Sequence, residues 1–439
     1  MSLYAVLFNK KPPSNQWGDS RQLFGSWKCS GNFWWCIGVG ALIGVVLGCD
    51  YAAPRFHLNM AHVRKNEDPE AKFSPAQLKN IAEILTALFG TPDEPHIIAD
   101  ANLGIHEMME LRNLEMAAGP FGSDENGFAR GLYRQHCAHC HGVTGDGAGP
   151  TAAYLNPYPR DYRRGVFKFK STPKGEKPTD SDLDRILRNG IPGTAMPSFG
   201  LLADDEIEAL VEYVKYLALR GEVERNLVLE LSDLDEGELL FDSAGAEDGI
   251  ALIQDVASRV VGRWQRAESK VTIPSTRPDF DSTEAMRQSV ERGHQLFEGK
   301  IANCYSCHGE TALGDGQLDL YDDWTEELEP KNAEKHAQLV SDQERPQPIR
   351  NLRPRNLRRG VYRGGRRPID LYWRIRNGID GAKMPAIPVV AADARPGTKG
   401  VTESEVWDLI NYVRSLPYDE ISGVKYDIHS NGIQLEKPR

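Results

Sequence analysis

The sequence predicts a mostly helical protein made of two copies of one unit, on three observations. Apolar residues recur at helical spacing in three separate stretches: Leu78, Ile81, Ile84, Leu85 and Leu88; Ile207, Leu210, Val211, Val214 and Leu217; and Val406, Leu409, Ile410, Val413 and Leu416. The order of elements between about residues 119 and 225 returns, nearly piece by piece, between about 281 and 418. Each copy carries the same short run of cysteines and histidine. A length of 439 residues accommodates roughly two to four domains. The net charge of −11 argues against nucleic acid, whose binders carry a clustered basic excess.

The run is Cys137-Ala138-His139-Cys140-His141 in the first copy and Cys304-Tyr305-Ser306-Cys307-His308 in the second. Cys-x-x-Cys-His is the attachment pattern of a c-type haem. On a helix the three side chains stand at i, i+3 and i+4 and point to one side. Two thiols then reach the haem vinyl groups as thioethers while the imidazole takes the iron from the same face. Zinc clusters and dithiol redox sites also use Cys-x-x-Cys, but neither copy supplies a Cys₄ or Cys₂His₂ set at short spacing. In both copies a Gly-Asp-Gly follows, Gly145 to Gly147 and Gly314 to Gly316. The cofactors expected are two covalently bound haem c groups.

Seven cysteines are present, four in the haem runs and three (Cys29, Cys36 and Cys49) before residue 50, so the body needs no disulfide framework. Covalent haem is attached outside the bacterial cytoplasm, which implies export. Residues 1–49 fit a leader: Lys10, Lys11, Arg21 and Lys28 precede an apolar run from Phe33 to Gly48. Val46-Leu47-Gly48-Cys49 resembles a lipobox, making Cys49 the candidate for lipidation. An uncleaved anchor and a plain cleaved signal remain open, and Trp34 and Trp35 would suit a membrane interface. Each places the body at the periplasmic side of the cytoplasmic membrane.

Residues 50–118 read as a helical extension, with Ser74 as N-cap and Pro75 at the first position. Met108, Met109 and Met116 read as core filler. The first unit spans 119–225 and closes on an amphipathic helix from Asp204 to Leu219, opened by Asp204, Asp205 and Glu206 at the positive end of its dipole. Residues 226–280 read as a linker with a helix around Ile250 to Trp264. The second unit spans 281–418 and closes on a helix begun by Thr402 and Glu405 as a capping box, and 419–439 form a tail. An acidic insertion at about 319–350 (Asp319, Asp322, Asp323, Glu326, Glu327, Glu329) reads as a solvated loop, with partner docking as the alternative.

Both copies carry Arg-Asn-Gly-Ile and then Met-Pro, with eight positions from Arg188 to Met196 and from Arg376 to Met384. Each Met-Pro precedes a closing helix, so Met196 and Met384 are the candidate second ligands to iron. His plus Met fills both axial positions and raises the reduction potential. His136, His139, His294 and His336 read as surface histidines. Arginine binds carboxylates in a forked geometry. Arg160, Arg164 and Arg188, with Arg355, Arg359 and Arg376, recur at matching positions and are the candidates for holding haem propionates.

These residues resemble the class I cytochrome c family: Leu132-Tyr133 and Leu296-Phe297 before Cys-x-x-Cys-His-Gly, a loop reaching Met-Pro, and a closing helix bearing Tyr213 or Tyr412. The resemblance implies an all-α fold around each haem, with Leu132, Tyr133 and Tyr213, and Leu296, Phe297 and Tyr412, in the contact between first and last helices. Ala129 stands for the family's small glycine of the first helix. Pro150 stands where the family's proline carbonyl orients the proximal imidazole, while the second unit has Gln317-Leu318-Asp319. The function implied is single-electron transfer between respiratory partners, from a quinol-oxidising or dehydrogenase complex to a terminal oxidase or soluble acceptor. The two domains after an anchor are similar to the di-haem subunit of cbb-type oxidases. A catalytic di-haem enzyme, peroxidase or thiosulfate-dehydrogenase-like, is the alternative.

Overall fold

The structure is a computed structural model describing residues 53–67, 72–97, 103–235, 237–242, 245–322, 333–341, 347–395 and 398–418. The expected leader with Cys49 and the tail from 419 lie outside the described residues. Among the described residues no helix is long and apolar enough to cross a membrane.

The extension begins with α1 (Met60–Asn66), whose N-cap Asn59 accepts from the His62 amide at 3.2 Å. Helix α2 (Pro75–Phe89) has the expected cap, with Ser74 and Gln77 each accepting from the other's amide. Its apolar stripe Ile81, Ile84, Leu85 and Leu88 is fully buried. Helix α3 (Leu111–Ala117) follows, and Met108, Met109 and Met116 lie in or against this core as filler.

Between α3 and the first cysteine run the chain makes a small antiparallel hairpin, β1 (Gly122–Ser123) with β2 (Ala129–Arg130). Asp124 holds its turn by accepting from the amides of Asn126 and Phe128 at 2.9 and 2.8 Å. Ala129 therefore lies in a strand, not on the helix where the sequence placed it. The hairpin separates α3 from the short α4 (Leu132–His136), which is followed by α5 (Ala138–His141). Helix α6 (Asp180–Asn189), capped by Thr179 and Asp182, leads through the Met196 loop to α7 (Asp204–Ser232).

Helix α7 runs thirteen residues past the expected end at Leu219. In the added stretch Glu222 is buried between Lys177 and the Trp264 indole N–H (2.8 Å), and Arg220 pairs with Glu224 at 2.8 Å. Gly221 is required there: a Cβ would meet Arg163 Cα at 2.2 Å. Helix α8 (Ala246–Gln265) packs on α7 and sends Ile253, Val256, Ala257, Val260, Val261 and Trp264 into the same core. The stretch read as a linker thus contributes to the first core, because its apolar face finds the outer half of α7.

The second unit has a smaller core of its own. Helix α9 (Thr283–Glu298), capped by Ser282, precedes α10 (Tyr305–His308), α11 (Ala333–Ser341) and α12 (Pro368–Asn377). A two-residue parallel pair, β3 (Val389–Val390) with β4 (Val401–Thr402), leads into α13 (Glu403–Ser415) with its expected capping box. Helices α9 and α13 cross where Gly293 lies against Asp408, and a Cβ there would meet the Asp408 carbonyl oxygen at 2.1 Å. The expected aromatic contacts hold, with ring centroids 5.0 Å apart for Tyr133 and Tyr213 and 5.3 Å for Phe297 and Tyr412.

Of the acidic insertion, Asp323, Glu326, Glu327 and Glu329 lie outside the described residues and Asp319 is exposed, while other described parts pack on the extension and the first unit. Helix α11 contacts α1, Leu339 is buried, and Asp322 pairs with Lys168 at 3.0 Å. Just beyond, Arg350 covers the Tyr158 ring at 4.2 Å and donates to the carbonyls of Ala153 and Leu155. Charge density alone does not distinguish a solvated loop from a strap whose partners are about 150 to 200 positions away.

One contact of the extension titrates. His62 is buried, its Nε2–H donates to the Arg225 carbonyl at 3.2 Å, and Nδ1 accepts from the Asn66 amide at 3.1 Å. A second ring proton would face that amide donor. Burial first, then the charges of Arg225, Lys65 and Arg164, hold its pKa down at about 4. The unfolded chain takes up this proton near pH 6.5, so the stabilisation is complete above that pH and is lost as pH falls toward 4. His62→Gln is expected to flatten the stability-versus-pH curve between pH 6.5 and 4 by about 2 kcal/mol, read by urea unfolding; an unchanged slope would contradict this.

Candidate functional site

Both cysteine-histidine runs are built alike. The run folds into one helical turn because Cys140 and His141 donate back to the Cys137 carbonyl at 3.1 and 2.9 Å, as Cys307 and His308 do to Cys304 at 3.2 and 2.9 Å. Gly142 and Gly309 end the turn at φ of +74° and +79°, where a Cβ would meet Asp146 Oδ1 or Asp315 Oδ1 at 2.0 Å. This is the use of the Gly-Asp-Gly motif: its carboxylate covers the glycine, while Gly147 and Gly314 donate to the carbonyls of His141 and His308 at 2.9 and 2.8 Å.

The acceptor that orients each imidazole is the carbonyl of a repeated arginine. His141 Nδ1–H donates to Arg160 O at 2.9 Å and His308 Nδ1–H to Arg355 O at 3.1 Å. This corrects the expectation for Pro150, and it gives the second unit the same bond despite Gln317. The signal was present as Pro159-Arg160 and Pro354-Arg355. With Nδ1 committed as donor, Nε2 is the nitrogen left for coordination. Tyr162 stacks on His141 at 4.7 Å.

Burial pushes the Cys137 and Cys304 thiols up to about 12 and the His141 imidazole down to about 4, and it lowers His308 in the same direction. Thiols raised this far are unlike the lowered thiols of dithiol redox sites. A neutral imidazole is the ligating form. Among the described residues no three His, Cys, Asp or Glu side chains gather as a metal cage.

In the first unit an empty space of about 1300 Å³, partly open to solvent, is lined by Cys137, Cys140, His141 and Met196 together. Its remaining wall is largely apolar, with Leu155, Phe167, Leu183, Leu187, Val211 and Val214, and His136 and His139 also border it. Two thiols, a neutral imidazole and a thioether around one apolar space fit a covalent haem. The Met loops are held identically: Ile191 donates to Met196 O and Ile379 to Met384 O, both at 3.1 Å. Gly190 and Gly378 allow the close approach, at φ of +64° and +72°, with Pro197 and Pro385 against them.

The arginine candidates separate into groups. Arg188 pairs with Asp184 and Asp204, each at 2.8 Å, and Arg376 with Glu403 at 3.3 Å, so each ties the end of α6 or α12 to the first turn of the closing helix and braces the Met loop. Arg164 lies on the side facing His62, and Arg359 is exposed. Arg160 lines the cavity. Arg355 lies against the first unit's Met loop, its Nη2 2.5 Å from where a Cβ on Gly193 would be. Lys168 and Arg363, which the sequence reading passed over, also line the first cavity, and Arg363 belongs to the second unit.

The two units meet along α6 and α12. Arg185 bonds Asp370 and the Gly364 carbonyl at 3.2 Å, Lys170 pairs with Asp380 at 2.9 Å, and Asn377 donates to Ser171 O at 3.0 Å.

The cytochrome c family model matches residues 129–218 and 290–417, together about half of the chain. No curated protein matches. Among solved structures the chain is similar to the reducing HAO-like protein complex of Kuenenia stuttgartiensis, with 23% identity, 68% of this chain and 98% of that chain covered, and a TM-score of 0.41.

Proposed function

Because the chain belongs to the cytochrome c family in both of its units, we propose that it carries single electrons on two covalent haems. The observation that carries this reading is the convergence of Cys137, Cys140, His141 and Met196 on one apolar cavity; in the second unit the same local bonds hold the Cys304–His308 turn, the His308 imidazole and the Met384 loop. When bound, the haem supplies an iron that alternates between ferrous and ferric. The cysteines tether it, and the imidazoles are turned toward it by the Arg160 and Arg355 carbonyls. The first Met loop, clamped by Ile191, brings the Met196 thioether to the site, and Ile379 clamps the Met384 loop in the same way. The largely apolar wall would limit water around the group, which favours the less charged ferrous form.

The donors and acceptors are respiratory redox proteins of the periplasm, and the body is held at the membrane through Cys49 or an anchor. Mass spectrometry of the mature amino terminus tests the tether: a diacylglyceryl group on Cys49 supports it, and an unmodified terminus beyond that residue overturns the lipid form.

The exported protein is expected to contain two haems per chain by pyridine haemochrome and, oxidised, a methionine-to-iron charge-transfer band of two-haem intensity. Half that band with peroxide-dependent turnover would mean a catalytic haem instead. Absence of covalent haem would overturn the function altogether.

A further inference from the structure

The two Arg-rich loops repeat Arg160 and Lys168 as Arg355 and Arg363, eight positions apart in each. In the fold these four side chains meet at the contact between the units, in a reciprocal arrangement. Arg355 lies on Gly193 of the first unit's Met loop, and Arg160 lies 3.5 Å from a Cβ position on Gly381, the matching residue of the second. Lys168 approaches the same Gly381 position at 3.8 Å.

Among the described residues the cluster is short of negative charge. Asp322, delivered by the insertion, bonds Lys168 at 3.0 Å and is the acid that acts on Arg160, Lys168 and Arg363 together. The neighbouring acids are committed elsewhere: Asp161 to Arg163 at 2.9 Å and Asp380 to Lys170 and the Gly175 amide. Among the described residues Asp322 is shared by Arg160, Lys168 and Arg363, while the charged neighbour of Arg355 is Arg359, so cations outnumber the acids that face them. Nε of Arg355 and Nε of Arg363 are buried without a hydrogen-bond partner. Buried cations are paired in stable proteins, so the arrangement calls for further anions in the gap.

We propose that Arg160, Lys168, Arg355 and Arg363 form one shared seat for the propionates of both haems, so that each haem is held in part by the unit to which it is not attached. The inference rests on the haem reading above and adds the partner of the charges. Its distinguishing feature is reach across the interface, since Arg363 of the second unit lines the cavity of the first. Propionates are the anions nearest a haem iron, and a cation placed on them favours the ferrous state.

The test is a spectroelectrochemical titration of the full-length, exported protein, with the first haem's wave identified by its displacement in Met196→His. Arg363→Gln is expected to lower the potential of the first haem, shifting its reduction equilibrium about tenfold toward the oxidised form. Arg363→Lys should restore most of the shift. Asp322→Asn should move the same wave upward, which a loosened structure alone would not do. Two haems per chain with the first wave unmoved in both Arg363→Gln and Asp322→Asn would overturn the shared seat while leaving the haem reading intact. Loss of covalent haem from the unmodified protein would overturn the haem reading itself. If Arg363→Gln fails to accumulate, the sign of the Asp322→Asn shift decides.

Discussion

Gly293→Leu is expected to unfold the second unit while the first stays folded, so that the methionine-to-iron charge-transfer band falls to half although both haems remain tethered by their thioethers. At the crossing of α9 and α13, the backbone of α13 already occupies the place a Cβ would take, 2.1 Å from the Asp408 carbonyl oxygen and 2.7 Å from Tyr412 Cβ. Backbone does not yield as a flexible side chain does. The helices would have to separate, breaking the bonds of Asp408 to Ser289 (2.6 Å) and Arg292 (2.8 Å) and exposing Phe297 and Tyr412. Overpacking costs typically 1–3 kcal/mol, and loss of the buried polar network adds to it, for a total of about 4–5 kcal/mol. In a core as small as the second unit's that is most of the stability available. The charge-transfer band and thermal unfolding read the outcome; a full band and an unchanged melting profile would show that the crossing tolerates the side chain.

Met196→His is expected to keep both haems attached but halve the methionine-to-iron charge-transfer band. The thioethers come from Cys137 and Cys140, so attachment does not depend on the distal loop. An imidazole in place of the thioether favours ferric iron, lowering one of the two potentials by on the order of 0.1 V or more within the roughly 0.8 V range that axial ligands span. The loop itself should persist, because Ile191 and Phe199 hold it through backbone bonds to Met196 O and Leu187 O at 3.1 and 2.9 Å. A full-intensity band in this variant would remove Met196 from the ligand set, because the band requires a thioether on each iron and another methionine would have to supply it.

The contrast between these sites and the arginines shows where sequence reasoning reached. The haem runs, the Met-Pro loops and the glycines that end α6 and α12 were legible because each depends on neighbours within about ten residues. Repetition made the signal stronger. Arg188 and Arg376 looked equivalent to Arg160 and Arg355 as cations near a haem, yet the first pair meets acids on the closing helices and the second pair meets the other unit. Charge and spacing are the same in both cases; only the position of an acid elsewhere in the fold separates them.

Local chemistry in the sequence determined two helical units, two Cys-x-x-Cys-His turns and the Met loops, and the family resemblance implied the aromatic pairs that close each core. Tertiary structure alone decided that residues 246–265 complete the first core, that the insertion straps one unit to the other, that arginine carbonyls orient both imidazoles, and that Lys168 and Arg363 join the cavity. The physical reason is distance along the chain. Contacts such as Lys168 with Asp322 or Arg185 with Asp370 join residues separated by 154 and 185 positions, and no local propensity encodes which of many surface charges such a residue will meet.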